Sequence, residues 1–413
     1  MKIVFVNRFF YPDLSATSQL LSDLAFHLSK SGYDIHVVTS RQVYDDPGSM
    51  LPSRDSIQGV QVIRVRTTHF GRRRLLGRLF DYMTFYTGAA WRLSAMLRSG
   101  DVVVAKTDPP LISVVATLAS RMRKAKLVNW LQDVFPEVAT ALQVRGLSIV
   151  GKALQAIRNY SLRTATHNVV LGDRMADVLI DQGVPQDRIR IIHNWADGNS
   201  IRPVTREHNR LRREWGLEDK FVVGYSGNLG LAHEFETIID AAGKLKETKQ
   251  ITFLFIGAGA QRDRVEAMGR ERGLKNFQFR PYQPRELLML SLSVPDVHLI
   301  SLKPALEGLI VPSKFYGIAA AGRPTIYIGD LDGEIPRVLK EWDSGYAVRI
   351  GEATQLADLI AQMAGNDETA QMGMRARRSF DEHYDQRHAL AAWEQLFAQA
   401  VALPTMRTFM PPQ

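Results

Sequence analysis

Short apolar runs separated by longer helical stretches restrict the fold of this chain more than any other feature. In the first half the runs are IVFVN, DIHVVT, VQVIRV, DVVVA, KLVNWL, HNVVL and IRII. Stretches of about 10–20 residues with helical periodicity separate most of them. Continuous apolar runs connected in this way are typical of parallel strands buried on both faces. The first half is therefore predicted to be a Rossmann-like, doubly wound α/β domain.

A polar, charged stretch from Ile201 to Lys220 breaks this alternation, and the run FVVGYSG restarts it. The second half repeats the pattern with ITFLFIG, NFQFR, DVHLISL, RPTIYIG and YAVRI. We therefore predict two Rossmann-like domains, residues 1–200 and 201–385, that face a cleft. Residues 386–413 show only helical periodicity. That pattern leaves open whether they complete the second domain or cross back to the first.

Composition narrows the class of protein. With 413 residues, 45% of them hydrophobic, the chain can bury large cores. It contains no cysteine, which excludes disulfides and cysteine-based sites and favours a cytoplasmic location. We expect no signal peptide and no transmembrane helix, because no apolar run is long enough. The net charge of +9 favours anionic partners, but no nucleic-acid recognition motif accompanies it, so we expect no nucleic acid.

One amphipathic segment carries a cluster of positive charge. Four arginines are interleaved there with large apolar residues; the arginines are Arg72, Arg73, Arg74 and Arg78. Such a pattern is typical of a helix that lies on an anionic membrane surface. A solvated helix face remains the alternative.

Two segments in the second half carry candidate phosphate-binding groups. The strand Phe221–Tyr225 is followed by Gly227 to Gly230, and we expect a helix from near His233, so that backbone N–H groups form a phosphate cradle. A tight turn would use the same glycines. The Gly257 turn is interpreted as structural. Pro281 with Tyr282 follows another strand and could frame a flat ring.

The segment EGLIVPSKFYGIAAAGRP begins at Glu307. We predict that Gly308 forms a loop at a strand end, that Glu307 faces the cleft, and that a helix starts near Pro312 with Ser313 as its cap. Lys314 then lies in the first turn, where a cation opposes the helix dipole. A bound phosphate would reverse that cost, so the segment indicates an anionic ligand.

In the first half, Asp133 follows the strand Leu127–Leu131 and is predicted to be functional, although an Asp in this position also caps turns. Arg8 follows the first strand, and Lys106 ends another. No H-E-x-x-H, P-loop or dinucleotide-binding motif is present. We therefore expect neither a metal nor a cofactor.

Seven segments together resemble a known family: NRFFYPDLSATSQLLSDLAFHLSKSGYDIHVVTS, LQDVFPE, HNWAD, YSGNLGLAHEFETIIDAA, FIGAGAQRDRVE, PYQPREL and VPSKFYGIAAAGRP. Over almost its full length the chain resembles GT4-type retaining glycosyltransferases of the GT-B fold, in the bacterial branch that builds O-antigen, capsule and colanic-acid-like polysaccharides. The resemblance implies metal-free transfer of a sugar from a nucleotide-diphosphate donor on the C-terminal domain to an acceptor on the N-terminal domain. It also implies that the last helix crosses back.

Carried over to this chain, the resemblance implies that Lys314 neutralises the leaving diphosphate. It places Asp133 near the donor sugar, with Gln132 at the family's His position. It also implies that Glu307 contacts the donor sugar as a third catalytic residue. The remaining donor-binding candidates are Gly227, Asn228, Leu229, Gly230, His233, Pro281, Tyr282, Gly308, Leu309, Ser313 and Glu334. The candidates for the acceptor or cleft loop are Arg8, Ser15, Ala16, Thr17 and Lys106.

This chain departs from the family pattern at several of these positions. Asn228 and His233 stand where many relatives have basic residues, and Ser15-Ala16 replaces a Gly-Gly pair. The family's two glutamates align with Leu309 and Gly317, so Glu307 is an offset substitute for the first. Glu334 is a substitute for the second, which usually contacts the ribose.

The leading hypothesis is a retaining hexosyltransferase at the cytoplasmic face of the membrane. It would use a UDP-sugar donor and a polyprenyl-diphosphate-linked glycan acceptor. One alternative is a sugar-nucleotide epimerase of the same architecture. Another is a non-catalytic nucleotide-sugar-binding subunit, motivated by the missing second glutamate. The sequence predicts no particular oligomeric state.

Overall fold

The computed structural model describes residues 1–43, 50–70, 75–144 and 147–402. The chain divides into two compact units. One comprises Met1–His193 and the chain from Leu390 onward, and the other comprises Asn194–Ala389. We refer to them as unit 1 and unit 2. Within the described ranges, no helix is both long enough and apolar enough to cross a bilayer.

Unit 1 is built on one eight-stranded sheet. Its strands are β1 (Lys2–Val6), β2 (Asp34–Ser40), β3 (Arg54–Ile57), β4 (Val60–Val65), β5 (Val102–Lys106), β6 (Lys126–Trp130), β7 (His167–Val170) and β8 (Ile189–Ile191). They lie in the order β3-β4-β2-β1-β5-β6-β7-β8. Seven strands are parallel, as the apolar runs predict. The edge strand β3 runs antiparallel to β4 and was not predicted, because its residues RDSI are polar and mostly exposed.

Helices connect the strands of unit 1 in the doubly wound manner. They are α1 (Ala16–Lys30), α2 (Leu75–Met96), α3 (Ile112–Arg123), α4 (Glu137–Ala141), α5 (Leu147–Thr164) and α6 (Asp173–Asp181). Buried residues of α2 and α3 pack with Val4 and Val6 of β1 in one apolar cluster.

Unit 2 contains a six-stranded, fully parallel sheet. Its strands are β9 (Phe221–Ser226), β10 (Ile251–Ile256), β11 (Phe277–Arg280), β12 (Val297–Ser301), β13 (Thr325–Ile328) and β14 (Gly345–Val348). Their order is β11-β10-β9-β12-β13-β14. Its helices are α7 (Arg210–Glu214), α8 (Glu236–Lys244), α9 (Arg262–Glu271), α10 (Leu288–Leu292), α11 (Lys314–Ala320), α12 (Glu334–Glu341), α13 (Ala353–Ala364) and α14 (Glu368–Ser379).

The last helix, α15 (Gln386–Ala402), packs on the sheet of unit 1. Trp393 contacts Trp130 edge to face with ring centroids 4.8 Å apart, and Phe397 contacts Phe5 in the same manner at 6.3 Å. Both partners lie on strands. Large aromatic surfaces buried in this way anchor the helix to that sheet.

The strand orders place two topological switch points. Connections leave in opposite directions on the two sides of β1 and β5 in unit 1, and of β9 and β12 in unit 2. In open α/β sheets a crevice forms at the carboxyl ends of the strands at such a point, and ligands bind there. The loops that follow these four strands carry most of the predicted site residues.

Candidate functional site

Lys314 is the first residue of α11 and is half-buried beside the switch point of unit 2. Its Nζ lies 3.8 Å from the ring centroid of Tyr225 and donates a hydrogen bond to the Tyr225 hydroxyl. Burial lowers the pKa of Lys314 to about 7. Within the described ranges no carboxylate forms an ion pair with it. The arrangement leaves a desolvated cation that an anion would stabilise.

Tyr225 connects this lysine to the loop after β9. The buried hydroxyl accepts from Lys314 and donates to the backbone oxygen of Asn228 at 3.1 Å. Burial raises the pKa of Tyr225 well above its ordinary value, and the charge of Tyr282 adds to the increase. Sequence reasoning counted Tyr225 only as a strand residue. The feature that could have indicated a functional role is the position of this tyrosine at the carboxyl end of a strand.

The glycine loop, residues 227–230, lies against a second glycine turn. A β-carbon on Gly257 would meet the backbone oxygen of Gly227 at 2.1 Å, and one on Gly259 would meet Leu229 backbone atoms at 2.6 Å. Both glycines also have positive φ. The structural interpretation of the second turn therefore has a steric reason: it lets two backbones approach closely.

The predicted phosphate cradle is only partly available. The N–H of Gly227 donates to Ile256 and that of Leu229 donates to Ala258, at 2.9 and 2.8 Å. The expected helix start near His233 is also wrong, because α8 begins at Glu236. Because this turn is hydrogen-bonded to a neighbouring loop, it uses backbone N–H donors that a helix N-terminus would leave free for a phosphate. The side chain of Lys314 is close to this loop, since a β-carbon on Gly227 would lie 3.6 Å from its Cε.

The His233 side chain is turned toward the protein interior and not toward a ligand in the glycine loop. Its Nδ1 donates to the backbone oxygen of Ser301 at the end of β12. Burial, with the charge of Lys314 in second place, lowers the pKa of His233 to about 3. The imidazole is therefore neutral at neutral pH and adds no positive charge for a phosphate.

Glu307 belongs to a second group of contacts in unit 2. One carboxylate oxygen accepts from the Tyr327 hydroxyl and the other from the backbone N–H of Glu334, both at 2.8 Å. The acceptor position at the start of α12 suits a carboxylate because helix N-termini favour negative charge. A β-carbon on Gly333 would lie 2.5 Å from that carboxyl group, so any larger residue there would have to displace the Glu307 carboxylate. Tyr327 was not predicted from the sequence.

Glu334 lies close enough to Tyr316, the residue before Gly317, to affect its pKa. Burial raises the pKa of Tyr316 well above its ordinary value, and the charges of Tyr384 and Glu334 raise it further. Glu334 itself is 8% exposed. A carboxylate from α12 thus acts on α11 next to the position where the resemblance expects a glutamate.

The other donor-side predictions occupy the same loops. Gly308 has φ of 74° between β12 and α11, and Leu309 follows it. Ser313 is the N-cap residue of α11, but its side chain makes no capping hydrogen bond, and the helix begins at Lys314 rather than near Pro312. Pro281 and Tyr282 are exposed after β11, where Tyr282 offers a ring surface.

Asp133 follows β6 in unit 1. Burial raises its pKa to about 6; a hydrogen bond with Thr107 lowers the pKa, and the charge of Asp108 raises it. Its Oδ1 is buried and has no hydrogen-bond partner among the described residues. With Lys106, Asn129 and other residues it lines a cavity of about 30 Å³. That volume is sufficient for water.

Lys106 ends β5 and is 1% exposed. Its Nζ lies 3.3 Å from the ring centroid of Trp130 and has no hydrogen-bond partner in the described part of the chain. Burial lowers its pKa well below the ordinary value, and the charge of Asp23 opposes the shift. Lys106 and Asp133 therefore lie beside one cavity, because β5 and β6 are neighbours in the sheet.

The site residues predicted in the loop after β1 mainly make contacts that stabilise that loop. Arg8 is buried, lies 3.6 Å from the carboxylate of Asp81 and donates to Gln42. The backbone N–H of Ser15 donates to the Asp13 carboxylate at 2.9 Å, and the Ser15 hydroxyl donates to the same oxygen. Ala16 and Thr17 open α1.

Arg72, Arg73 and Arg74 lie outside the described residues. Arg78 is half-buried in the first turn of α2. Across the described ranges, no group of three or more His, Asp or Glu side chains is arranged to hold a metal ion.

Comparisons with known proteins agree with the two-unit architecture. Residues 17–195 match the Glycosyl transferase 4-like domain, and residues 207–379 match Glycosyl transferases group 1. The putative colanic acid biosynthesis glycosyl transferase WcaI of Escherichia coli is 25% identical over 87% of this chain and 91% of its own. The probable glycosyltransferase WbjE of Pseudomonas aeruginosa is 29% identical over 67% of this chain and 69% of its own.

Solved structures support the same fold. Sucrose-phosphate synthase from Thermosynechococcus elongatus superposes with a TM-score of 0.78 at 15% identity, covering 97% of this chain and 99% of its own. HepE of Anabaena in complex with UDP-glucose has a TM-score of 0.71 at 16% identity, covering 97% and 99%. The predicted fold class and resemblance are confirmed: the chain belongs to the GT4-like, group 1 glycosyltransferases of the GT-B fold.

Proposed function

We propose that this protein transfers a hexose-type sugar, with retention, from a UDP-sugar to a lipid-linked glycan acceptor in the biosynthesis of a cell-surface polysaccharide. The observation that carries the proposal is the half-buried Lys314 at the switch point of unit 2, beside the glycine loop. A nucleotide-sugar donor releases a diphosphate, and a cation held in place stabilises that developing charge. Lys314 supplies this charge without a metal ion.

Other contacts in unit 2 support roles for the remaining donor-binding candidates. Tyr282 is exposed and electrostatically coupled to Tyr225, which supports a role in stacking on the base. Glu334 acts on Tyr316 beside Gly317, which supports its role as the ribose carboxylate. Glu307 would contact the donor sugar while its carboxylate orders the start of α12. The backbone of Gly308, Leu309 and Ser313 would line the same loop.

Unit 1 would hold the acceptor. Asp133, which the resemblance places near the donor sugar, combines a raised pKa with a buried oxygen that has no hydrogen-bond partner among the described residues, a combination that clusters at functional sites. Lys106 adds a second desolvated group beside the same cavity. Arg8 and the loop with Ser15, Ala16 and Thr17 would border the acceptor.

The relatives support the substrate classes. WcaI is named for colanic acid biosynthesis, and HepE has been crystallised with UDP-glucose. We infer that the acceptor is a polyprenyl-diphosphate-linked glycan at the cytoplasmic face of the membrane. The basic segment with Arg72, Arg73, Arg74 and Arg78 would contact anionic headgroups there.

Donor binding should be visible without the acceptor. A ligand that binds only the folded state raises the free energy of unfolding by mass action, by about 2.7 kcal/mol at a hundred times Kd, and therefore raises the melting temperature. We expect at least one sugar nucleotide from a set of UDP-, GDP- and dTDP-sugars to raise the melting temperature, with UDP-sugars giving the largest shift. Free nucleosides serve as the control. A set in which no sugar nucleotide moves the midpoint would contradict the proposed donor class.

Product analysis separates transfer from the alternatives. In the presence of a lipid-linked acceptor we expect the donor's anomeric configuration in the product, read from the proton NMR coupling of the new linkage. Without acceptor, the donor should remain intact. Epimerised donor under those conditions would favour the epimerase, and an inverted linkage would contradict retention.

Replacing Tyr225 by Phe should move the pH dependence of donor use. The change removes the hydroxyl that accepts from Lys314 but keeps the ring, so the charged lysine loses a partner and its pKa falls below about 7. The pH above which kcat/KM for the donor declines should therefore move to lower pH. Tyr346→Phe, a strand tyrosine of β14, is the control. An unchanged pH profile would show that the hydroxyl does not set the charge of Lys314.

A further inference from the structure

Three helices of unit 1 cover one face of its sheet. Buried residues of α2 and α3 share an apolar cluster with alternate residues of the central strands, including Val4 and Val6. α5 continues this layer, because the hydroxyl of Thr117 on α3 donates to Ser161 at 2.8 Å. The guanidinium of Arg121 also lies 5.5 Å from the ring centroid of Tyr160 on α5. The outward sides of α2, α3 and α5 therefore form one surface, which we call the three-helix face.

The three-helix face exposes many large apolar side chains. On α2 they follow a helical stripe opposite the buried one, and further members lie on α3 and α5. Each is at least 47% exposed: Leu76, Leu79, Phe80, Met83, Trp91, Leu118, Met122, Val150, Ile157 and Tyr160. Single exposed apolar residues are ordinary. A group spread over adjacent helices marks an interaction surface.

Acidic residues are nearly missing from these helices. In the sequences of α2, α3 and α5 the only one is Asp81, which is 1% exposed and lies 3.6 Å from Arg8. At the chain average of 43 Asp and Glu in 413 residues, segments of this combined length would contain about five. The same segments contain seven Arg and Lys: Arg78, Arg92, Arg121, Arg123, Lys152, Arg158 and Arg163.

The depletion contrasts with helices α8 and α9 of unit 2. Elsewhere the chain carries exposed acidic residues on its helices, as with Glu236 and Asp240 on α8, and Glu266 on α9. A solvated face would have no reason to exclude them. Negative charge is therefore avoided where the apolar residues are exposed.

We infer that the three-helix face docks on an anionic bilayer surface, with α3 and α5 taking part as well as the start of α2. Side chains such as Trp91 and Met122 would enter the headgroup boundary while arginines and lysines pair with lipid phosphates. Nucleic acid would use the cations but offers little for this apolar area. The inference extends the membrane part of the proposed function from the Arg72–Arg78 segment to a whole layer of unit 1.

Vesicle flotation with the full chain tests the inference. We expect binding to phosphatidylcholine vesicles that contain 30% phosphatidylglycerol, a mole fraction of about one third chosen for a strong surface potential. The double variant Leu118→Glu with Met122→Glu changes two residues of α3 that are 59% and 71% exposed. It should lower the partition coefficient about tenfold or more, through lost insertion and added repulsion. Met374→Glu on α14, 56% exposed, is the matched control and should float like the wild type.

Tryptophan quenching gives a second readout on the same face. Trp91 is 64% exposed, so brominated lipids should quench its fluorescence on docking, and the quenching should fall in Trp91→Phe. The inference would be overturned if the double variant bound vesicles as well as the wild type does. It would also be overturned if binding were lost only in a variant with Arg72, Arg73 and Arg74 changed to Glu. Equal binding to pure phosphatidylcholine would overturn its electrostatic part. These vesicles contain neither donor nor acceptor, so failure here is distinguishable from failure of the donor screen.

Discussion

Lys314→Met is expected to lower kcat/KM for the sugar nucleotide by about 100-fold or more, the usual effect of removing one group that stabilises developing negative charge. Methionine keeps most of the volume and removes the charge. Burial lowers the pKa of Lys314 to about 7, which means that keeping this lysine charged in the folded enzyme costs free energy. The bound donor diphosphate would offset that cost. Steady-state kinetics with varied donor measure the change.

The pH profile makes this expectation specific. For the free enzyme, kcat/KM should decline as the pH rises through about 7, since Lys314 then loses its proton. A bound diphosphate raises the pKa of the lysine, so kcat should persist to higher pH than kcat/KM. Lys340→Met changes an exposed lysine of unit 2 and should leave both profiles unaltered. Activity of Lys314→Met within threefold of the wild type would remove this lysine from the mechanism.

Asp133→Asn is expected to lower kcat by about 100-fold, within the range for a side chain that moves or holds a proton during reaction. The substitution keeps the shape but removes the charge next to the cavity. Donor affinity should change little, because the donor-binding candidates lie in unit 2. Single-turnover rates, together with the donor's thermal shift, separate the two effects.

The acid limb of the profile belongs to the same residue. Burial raises the pKa of Asp133 to about 6, so an ionised carboxylate is lost as the pH falls below about 6. The kcat/KM of the wild type should then decrease on the acid side, and that limb should be absent in Asp133→Asn. Asp177→Asn, at an exposed position of α6, is the control. An Asp133→Asn enzyme that is merely less stable but turns over normally would assign Asp133 a structural role.

The fold was predictable because its signal is local. Each apolar run such as IVFVN or ITFLFIG fills a buried parallel strand, and the helical stretches between them supply the connections. β3 escaped prediction because a polar, exposed edge strand has no hydrophobic pattern. The start of α8 was misplaced because the loop after Gly230 continues to Phe235, where backbone contacts rather than a sequence signal decide the helix boundary.

The site was predictable in part. Lys314 was identified as a cation in the first turn of a predicted helix, and Asp133 from its position after a strand; the structure gives both a perturbed pKa. Tyr225 and Tyr327 were missed, because each contacts a residue distant in sequence. A hydrogen bond between residues 89 positions apart leaves no local pattern.

By itself, the sequence determined the two Rossmann-like sheets, the family, and which loops carry charge, since these depend on periodicity and on residue type at strand ends. Only the tertiary structure decided the strand order that puts the loops after β9 and β12 side by side. It also decided that Lys314 rests on Tyr225 with a lowered pKa, that Glu307 orders the start of α12, and that α2, α3 and α5 share one acid-free face. The physical reason is that desolvation and hydrogen bonding depend on neighbours brought together by packing, which sequence spacing does not encode.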